Sequence, residues 1–193
     1  ADNATGLAPR GARIEPGGPP HRFTLLERDR VAPPEIAQLY DRAVAAQWDP
    51  STVIDWDATF SLPPEIESAV VQVMTYLIEN EPAALLVPAK FLAQVHPHFR
   101  EVMQLLAIQV ADEARHVEVF TRRAALRHTG ELGLSTASGQ LSLKTLLDEP
   151  DFTLASFLLS VLGEGTFLNL LWFLEHHAPD PVTRAIAKLA AQD

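Results

Sequence analysis

Two long stretches of this sequence, residues 63–95 and 97–129, repeat their apolar residues every third or fourth position and are separated at His96, with Pro97 opening the second. That period fits helices with one buried face, and no run of alternating apolar and polar residues suited to a half-buried strand occurs anywhere in the chain. Gly130 is placed to stop the second of these helices, and GELGLSTASGQLSLKTLLDEP, 130–150, follows as a polar connection carrying one short helix. A third core helix is expected over 151–177, and a fourth opens at Pro181 and is expected to be still running at Asp193. A shorter helix, PPEIAQLYDRAVAAQW at 33–48, precedes them all. The expected fold is all-α: a four-helix bundle with one long crossover connection and an extra N-terminal helix.

Residues 1–33, rich in Pro, Gly and Arg (GLAPRGARIEPGGPP), read as an extended or mobile arm, which leaves 34–193 as the bundle domain. The segment DPSTVIDWDATFSL, 49–62, is irregular, and Trp48 and Trp56 are expected to pack onto the domain. At 193 residues the chain suffices for one domain with a substantial core, and 47% hydrophobic with 21% charged residues is an ordinary globular balance.

Charge narrows the partners. The net charge is −10 and no face clusters Lys or Arg, which argues against nucleic acid or an anionic membrane surface. There is no cysteine, so disulfides, thiolate catalysis and sulfur-ligated metal sites are excluded. With no basic-then-apolar leader at the start, a cytoplasmic location is expected. One segment, FLLSVLGEGTFLNLLWFL at 157–174, has nearly the length of a membrane span. Glu164 sits at its centre, where a charge costs at least ~2.5–3.5 kcal/mol in a bilayer, so a buried core helix with an internal carboxylate is the expectation.

The chemistry lies in ADEARHVEVF, 111–120. Val102, Leu106, Gln109, Glu113, His116 and Phe120 share one helix face, so Glu113 and His116 point together toward the core. Alone, an E-x-x-H is weak evidence. Its ordinary reading is a core histidine bonded to its neighbouring Glu, with Asp112, Arg115 and Glu118 on the solvent side. Two more carboxylates on apolar faces shift the balance. Glu81 falls in register with Val70, Met74, Leu77, Ala84 and Pro88, just before a helix-disturbing Pro82. Glu164 aligns with Phe157, Val161, Leu168 and Leu171 and is flanked by Gly163 and Gly165. A lone buried carboxylate is costly and tends to neutralise itself. Three of them with a histidine call for a cation, and no Lys or Arg is in register to serve all three.

Oxygen and imidazole ligands without sulfur suit iron or manganese, and carboxylates can bridge two ions. Bundle di-metal sites take one Glu from each of two helices and a Glu-x-x-His from each of the other two. Glu81, Glu113, His116 and Glu164 would supply four of those six ligands. The last residues, IAKLAAQD, echo LAIQVAD before Glu113, an offset of 193 − 112 = 81 positions. The expectation is that a second Glu-x-x-His would follow Asp193 and that the fourth core helix is cut short here; an ordinary Asp-terminated helix is the alternative.

D-E-A-R-H at 112–116 resembles the D-E-x-R-H motif of the ferritin-like di-iron carboxylate superfamily, in the branch of ribonucleotide reductase small subunits and bacterial di-iron monooxygenases. The likeness spans about 63–193, but only 112–116 is specific. The resemblance implies a ferritin-like bundle holding two iron ions, or manganese and iron. It implies that Glu113 bridges the ions, His116 and Glu81 are terminal ligands, and Glu164 is a flexible carboxylate. Asp112 would hydrogen-bond a ligand histidine on the other paired helix, and Asp193 would do so for His116, with Arg115 in the same outer layer. Where the reductases carry a radical-forming Tyr, this chain has Phe120, and its two tyrosines are Tyr40 and Tyr76. Phe120, Phe167, Leu168 and Gln109 would instead line a pocket for an organic substrate. The implied activity is that of an O2-activating oxygenase or oxidase acting on a small organic substrate. Its electrons would come from an external reductase or ferredoxin, because the chain has no G-x-G-x-x-G. A homodimer is a further possibility of the family. His96, His98, His176 and His177 lie at helix ends and are expected at the surface. Two other readings stand beside this one: a ferritin-like bundle that stores iron or disproportionates peroxide, and a metal-free helical interaction domain whose buried carboxylates are neutral.

Overall fold

The computed structural model describes residues 22–127 and 137–193, with side chains omitted for 137–142. Among the described residues every regular element is helical, and an isolated bridge joins Leu25 and Val95. The elements are α1 (Ile36–Ala45), α2 (Pro50–Val53), α3 (Pro64–Leu92), α4 (Arg100–Ala125), α5 (Ala137–Asp148), α6 (Phe152–Ser156), α7 (Glu164–His177) and α8 (Pro181–Ala190). A π-helical segment, Phe157–Gly163, joins α6 to α7 without a break.

The helix starts follow from local chemistry. Asp151 and Asp180 cap α6 and α8 by accepting from Leu154 N and Thr183 N, each at 2.8 Å, and proline opens α3 and α8. α3 runs on through Pro82 and Pro88 although each removes a backbone donor. Its packing along most of the length of α4 outweighs those losses. One core cluster draws Val70, Met74 and Leu77 from α3, Val119 and Phe120 from α4, Leu171 and Leu174 from α7, and Val182 and Ile186 from α8.

Several expectations are corrected. α4 begins at Arg100 and ends at Ala125, inside the expected 97–129; Thr129 and Gly130 lie outside the described residues. α8 ends at Ala190 in a turn, so the helix is not running at Asp193. Residues 22–33 are docked: Phe23 and Val31 are buried, and Thr24 and Leu25 donate to Gln94 O while His96 donates to Leu25 O. His96 is accordingly buried against Phe23 and Phe99, not at the surface. The rest of the expected arm, 1–21, lies outside the described residues.

The helix from Phe152 to His177 departs most. It is long and apolar enough to cross a membrane by length and composition, with mean hydropathy 1.6, yet only 17% of that window is buried. The π segment adds a residue to the turn and rotates the register. Phe157 and Val161, expected to point inward with Glu164, are 49% and 57% exposed, while Leu159 is buried in their place. Trp172 and Phe173 are exposed on the same helix.

One buried ionic network had no sequence signal. Arg123, fully buried, donates to both carboxylate oxygens of Glu67 (2.7 and 3.0 Å), to Asp180 (2.9 Å) and to Thr183 (2.9 Å). It ties α4 to α3 and to the start of α8, which holds the lower end of the helices in register below the site.

Candidate metal centre

α3 contributes Glu81, α4 contributes Glu113 and His116, and α7 contributes Glu164, all to the wall of one cavity of about 230 Å3. One possible ligand atom from each of Glu81, Glu113 and His116 lies within 4.8 Å of the others. His116 Nδ1 is 3.1 Å from Glu113 Oε2 and 3.9 Å from Glu81 Oε2. Glu113 and His116 meet because three residues on a helix make one turn. Glu81 reaches them because α3 and α4 pack closely, with Leu77 and Ala84 buried on either side of it. Glu164 lies across the cavity, at the first turn after the π segment.

Electrostatics follows from this crowding. Burial pushes the Glu113 carboxyl up to about 7; Glu81 beside it adds to the rise and the bond to His116 opposes it. Burial, then the charge of Glu113, raises Glu164 to about 7, with His116 opposing. For His116 burial favours the neutral ring, but hydrogen bonds to Asp193 and Glu113, with Glu81 nearby, raise it to about 12. Without metal, then, a proton on His116 is the cation that these acids share.

A second layer holds the histidine. His116 Nε2 is 3.0 Å from Asp193 Oδ2, which also accepts from Arg115 (2.8 Å) and from the Trp48 indole (2.9 Å). Burial raises Asp193, but the hydrogen bonds from His116, Arg115 and Trp48 outweigh it and hold the carboxyl below its ordinary range. Arg115 donates to Asp112 at 2.5 Å and to Gln47 at 2.8 Å, and Gln47 donates to Asp112 at 2.7 Å. Asp112 and Arg115 are therefore enclosed, not solvent-facing. Among the described residues Asp112 meets this arginine and glutamine, not a second histidine. Gln47 and Trp48 were missed as site residues. A tryptophan reads as packing, and only the fold brings its N–H to a carboxylate 145 positions away.

Of the expected pocket residues, Gln109, Phe167 and Leu168 line the cavity. Phe167 is stacked on Tyr76, ring centroids 5.8 Å apart. Phe120 does not line the cavity: it is fully buried in the core cluster, with its ring 6.1 Å from that of His116. His176 and His177 are exposed at the end of α7 and take no part.

The donor set fits a metal. His116 presents Nδ1 to the two glutamates while Nε2 is fixed by a carboxylate, which is how a ligating histidine is oriented and its tautomer chosen. Glu81, Glu113 and His116 together offer ligand atoms close enough to one another to hold a metal ion. No family model, curated protein or solved structure matches this chain. Fold and site together define a helical protein with a buried carboxylate–histidine cluster at one end of an apolar cavity.

Proposed function

We propose that this chain holds a dinuclear centre of two iron ions, or one manganese and one iron, in a ferritin-like bundle, and that it acts as an oxygenase or oxidase on a small organic substrate. The observation that carries the reading is the convergence of Glu81, Glu113, His116 and Glu164 on one cavity whose wall, among the described residues, includes no Lys or Arg. When bound, such a centre supplies the reduction of O2 and the oxidation of a substrate bond. Glu113, central to the cluster, would be shared between the two ions, with Glu81 and His116 as outer ligands of one of them. Glu164, across the cavity, would serve the second. Asp193, at 3.0 Å from Nε2, would hold the histidine in its ligating tautomer once the Nδ1 proton is lost. The apolar residues Leu77, Ala84, Leu159, Phe167 and Leu168 would limit the access of bulk water to the reacting face. Electrons would come from a separate reductase or ferredoxin.

Metal analysis with an optical spectrum, after anaerobic ferrous loading and exposure to air, tests the reading. Close to two metal ions per chain with near-ultraviolet oxo-bridge absorption is the expected result. A folded protein that takes up no metal overturns it and leaves the metal-free interaction domain in its place.

A further inference from the structure

The helix from Phe152 to His177 holds much of its apolar surface outward. Leu154, Phe157, Val161, Leu162, Trp172 and Phe173 are each 44–59% exposed, while Ala155, Leu159, Leu171 and Leu174 face the core. The exposed set recurs at steps of three or four residues, continued in the middle by Gly165 and the exposed Thr166 and Asn169, so it forms one line along the outer side. The π segment narrows that line. Its wider turn advances less per residue and brings Val161 over Phe157 and Leu162 over Leu154.

At roughly 150–250 Å2 for an aromatic side chain and less for Leu and Val, the six residues expose about 500 Å2, the size of a functional patch on a monomer. Glu164 is the one charged residue between Phe152 and Leu174, and it turns into the cavity, so the line itself carries no charge. Uncharged surface rich in Trp and Phe has the composition of an interface core. A lipid surface fits less well. Helices that lie on membranes carry Lys and Arg beside the apolar face, whereas there is none from Phe152 to His177, in a chain of net charge −10. Nor do residues 1–21 and 128–136 suit the role, since Leu7, Ile14, Leu132 and Leu134 are their only large apolar side chains.

A second copy fits. Buried on both chains, the six residues account for about 1,000 Å2, which is what a specific interface needs, and the rim adds to it. The middle of the line permits close approach, because a Cβ at Gly165 would meet nothing within 4 Å. Thr166 and Asn169 already donate to their own helix, at Leu162 O (3.1 Å) and Gly165 O (2.9 Å), which lowers the cost of covering them. Phe157 and Phe173 lie equally far from Gly165 in sequence, so an antiparallel pair centred there sets each Phe173 against the partner's Phe157.

We infer that this helix is the interface of a homodimer and crosses its own second copy antiparallel at Gly165. The interface needs no metal and stands apart from the function proposed above.

Sedimentation equilibrium of the metal-free chain at about 100 μM, well above a micromolar dissociation constant, should read twice the chain mass. Phe173→Glu, at a position exposed in the monomer, should weaken the dimer at least about a hundredfold, since it sets an unpaired charge in the seam twice over. Gly165→Gln should also break the dimer while keeping the wild-type circular dichroism spectrum, because its Cβ has open space and glutamine favours helix over glycine. The chain has no cysteine, so introduced ones report the register. On oxidation Gly165→Cys should link to its own copy. Phe173→Cys should link to Phe157→Cys but not to itself, its two copies lying about 24 Å apart. A monomer at that concentration, a dimer unchanged by Phe173→Glu, or a Phe173→Cys chain that links to itself overturns the inference. A monomer that floats with phosphatidylcholine vesicles overturns it in favour of a lipid surface.

Discussion

Replacing Glu164 with glutamine separates a metal-binding carboxylate from a merely tolerated one. In the metal-free protein the Glu164 carboxyl is raised from 4.5 to about 7, chiefly by burial and next by the charge of Glu113. The folded state therefore binds this proton more tightly than the unfolded chain does. Its contribution to stability is complete below about pH 4.5 and is lost as pH rises through about 7. At about 1.4 kcal/mol per pKa unit, ionised Glu164 costs the metal-free fold on the order of 1–3 kcal/mol near pH 8, the lower figure allowing for its partial solvation. Glu164→Gln removes the charge and keeps the shape. In urea unfolding with a chelator present, the variant should match wild type near pH 4.5 and exceed it by that amount near pH 8. Ferrous or cobalt(II) ion should then reverse the order. Wild type gains about 4.1 kcal/mol at a thousandfold excess over the dissociation constant, and the variant loses most of that gain. A variant less stable than wild type near pH 8 without metal, or a difference that does not change with pH, would refute the account of Glu164 as a strained buried acid.

Metal loading at about pH 7 should release about two protons per chain, one from His116 (raised to about 12) and about one in total from Glu113 and Glu164 (each about 7); calorimetry in buffers of different ionisation heat reads the number. Apparent metal affinity should accordingly fall as pH drops below 7, which competition with a coloured chelator follows. Asp193→Ala should lower metal affinity about 10–100-fold by freeing the His116 ring, with little change in the far-ultraviolet circular dichroism spectrum. Arg123→Ala should destabilise the fold by about 3–5 kcal/mol in urea, since it strands Glu67 and Asp180 without their counter-charge, and a smaller loss would mean water reaches them.

How much of this was legible depended on whether the signal was local. Helical period alone placed α3, α4 and α8, and the same register put Glu81, Glu113 and His116 on inward faces, where the structure has them. The inward alignment of Phe157 and Val161 failed because a π turn shifts the register and nothing in FLLSVLG announces one. Phe120 keeps its inward face but falls past the cavity into the core, a distinction of about one helical turn that periodicity cannot make. The Arg123 network and the Gln47–Trp48 contacts join elements far apart in the chain. Their residues carry ordinary surface or packing signals until the helices are assembled.

The two ionic clusters along α4 differ in one respect, and it bears on function. Arg123 meets Glu67 and Asp180 with a permanent charge and donors for both, so that end of the helix is settled. Two turns earlier the cluster of Glu81, Glu113 and Glu164 has, among the described residues, no arginine or lysine on its wall, and its shared cation is a proton on His116. A sequence that builds a complete ion pair at one end had the means to build one at the other. Leaving three acids with only a titratable histidine raises two of them to about 7, a cost to the metal-free fold. That cost would reverse if a divalent ion replaced the proton, since the same burial that weakens the acids' charged forms would then strengthen their hold on a metal. Asp193, kept ionised by Arg115 and Trp48, would retain its grip on Nε2 through such an exchange and leave Nδ1 as the atom free to trade a proton for an ion.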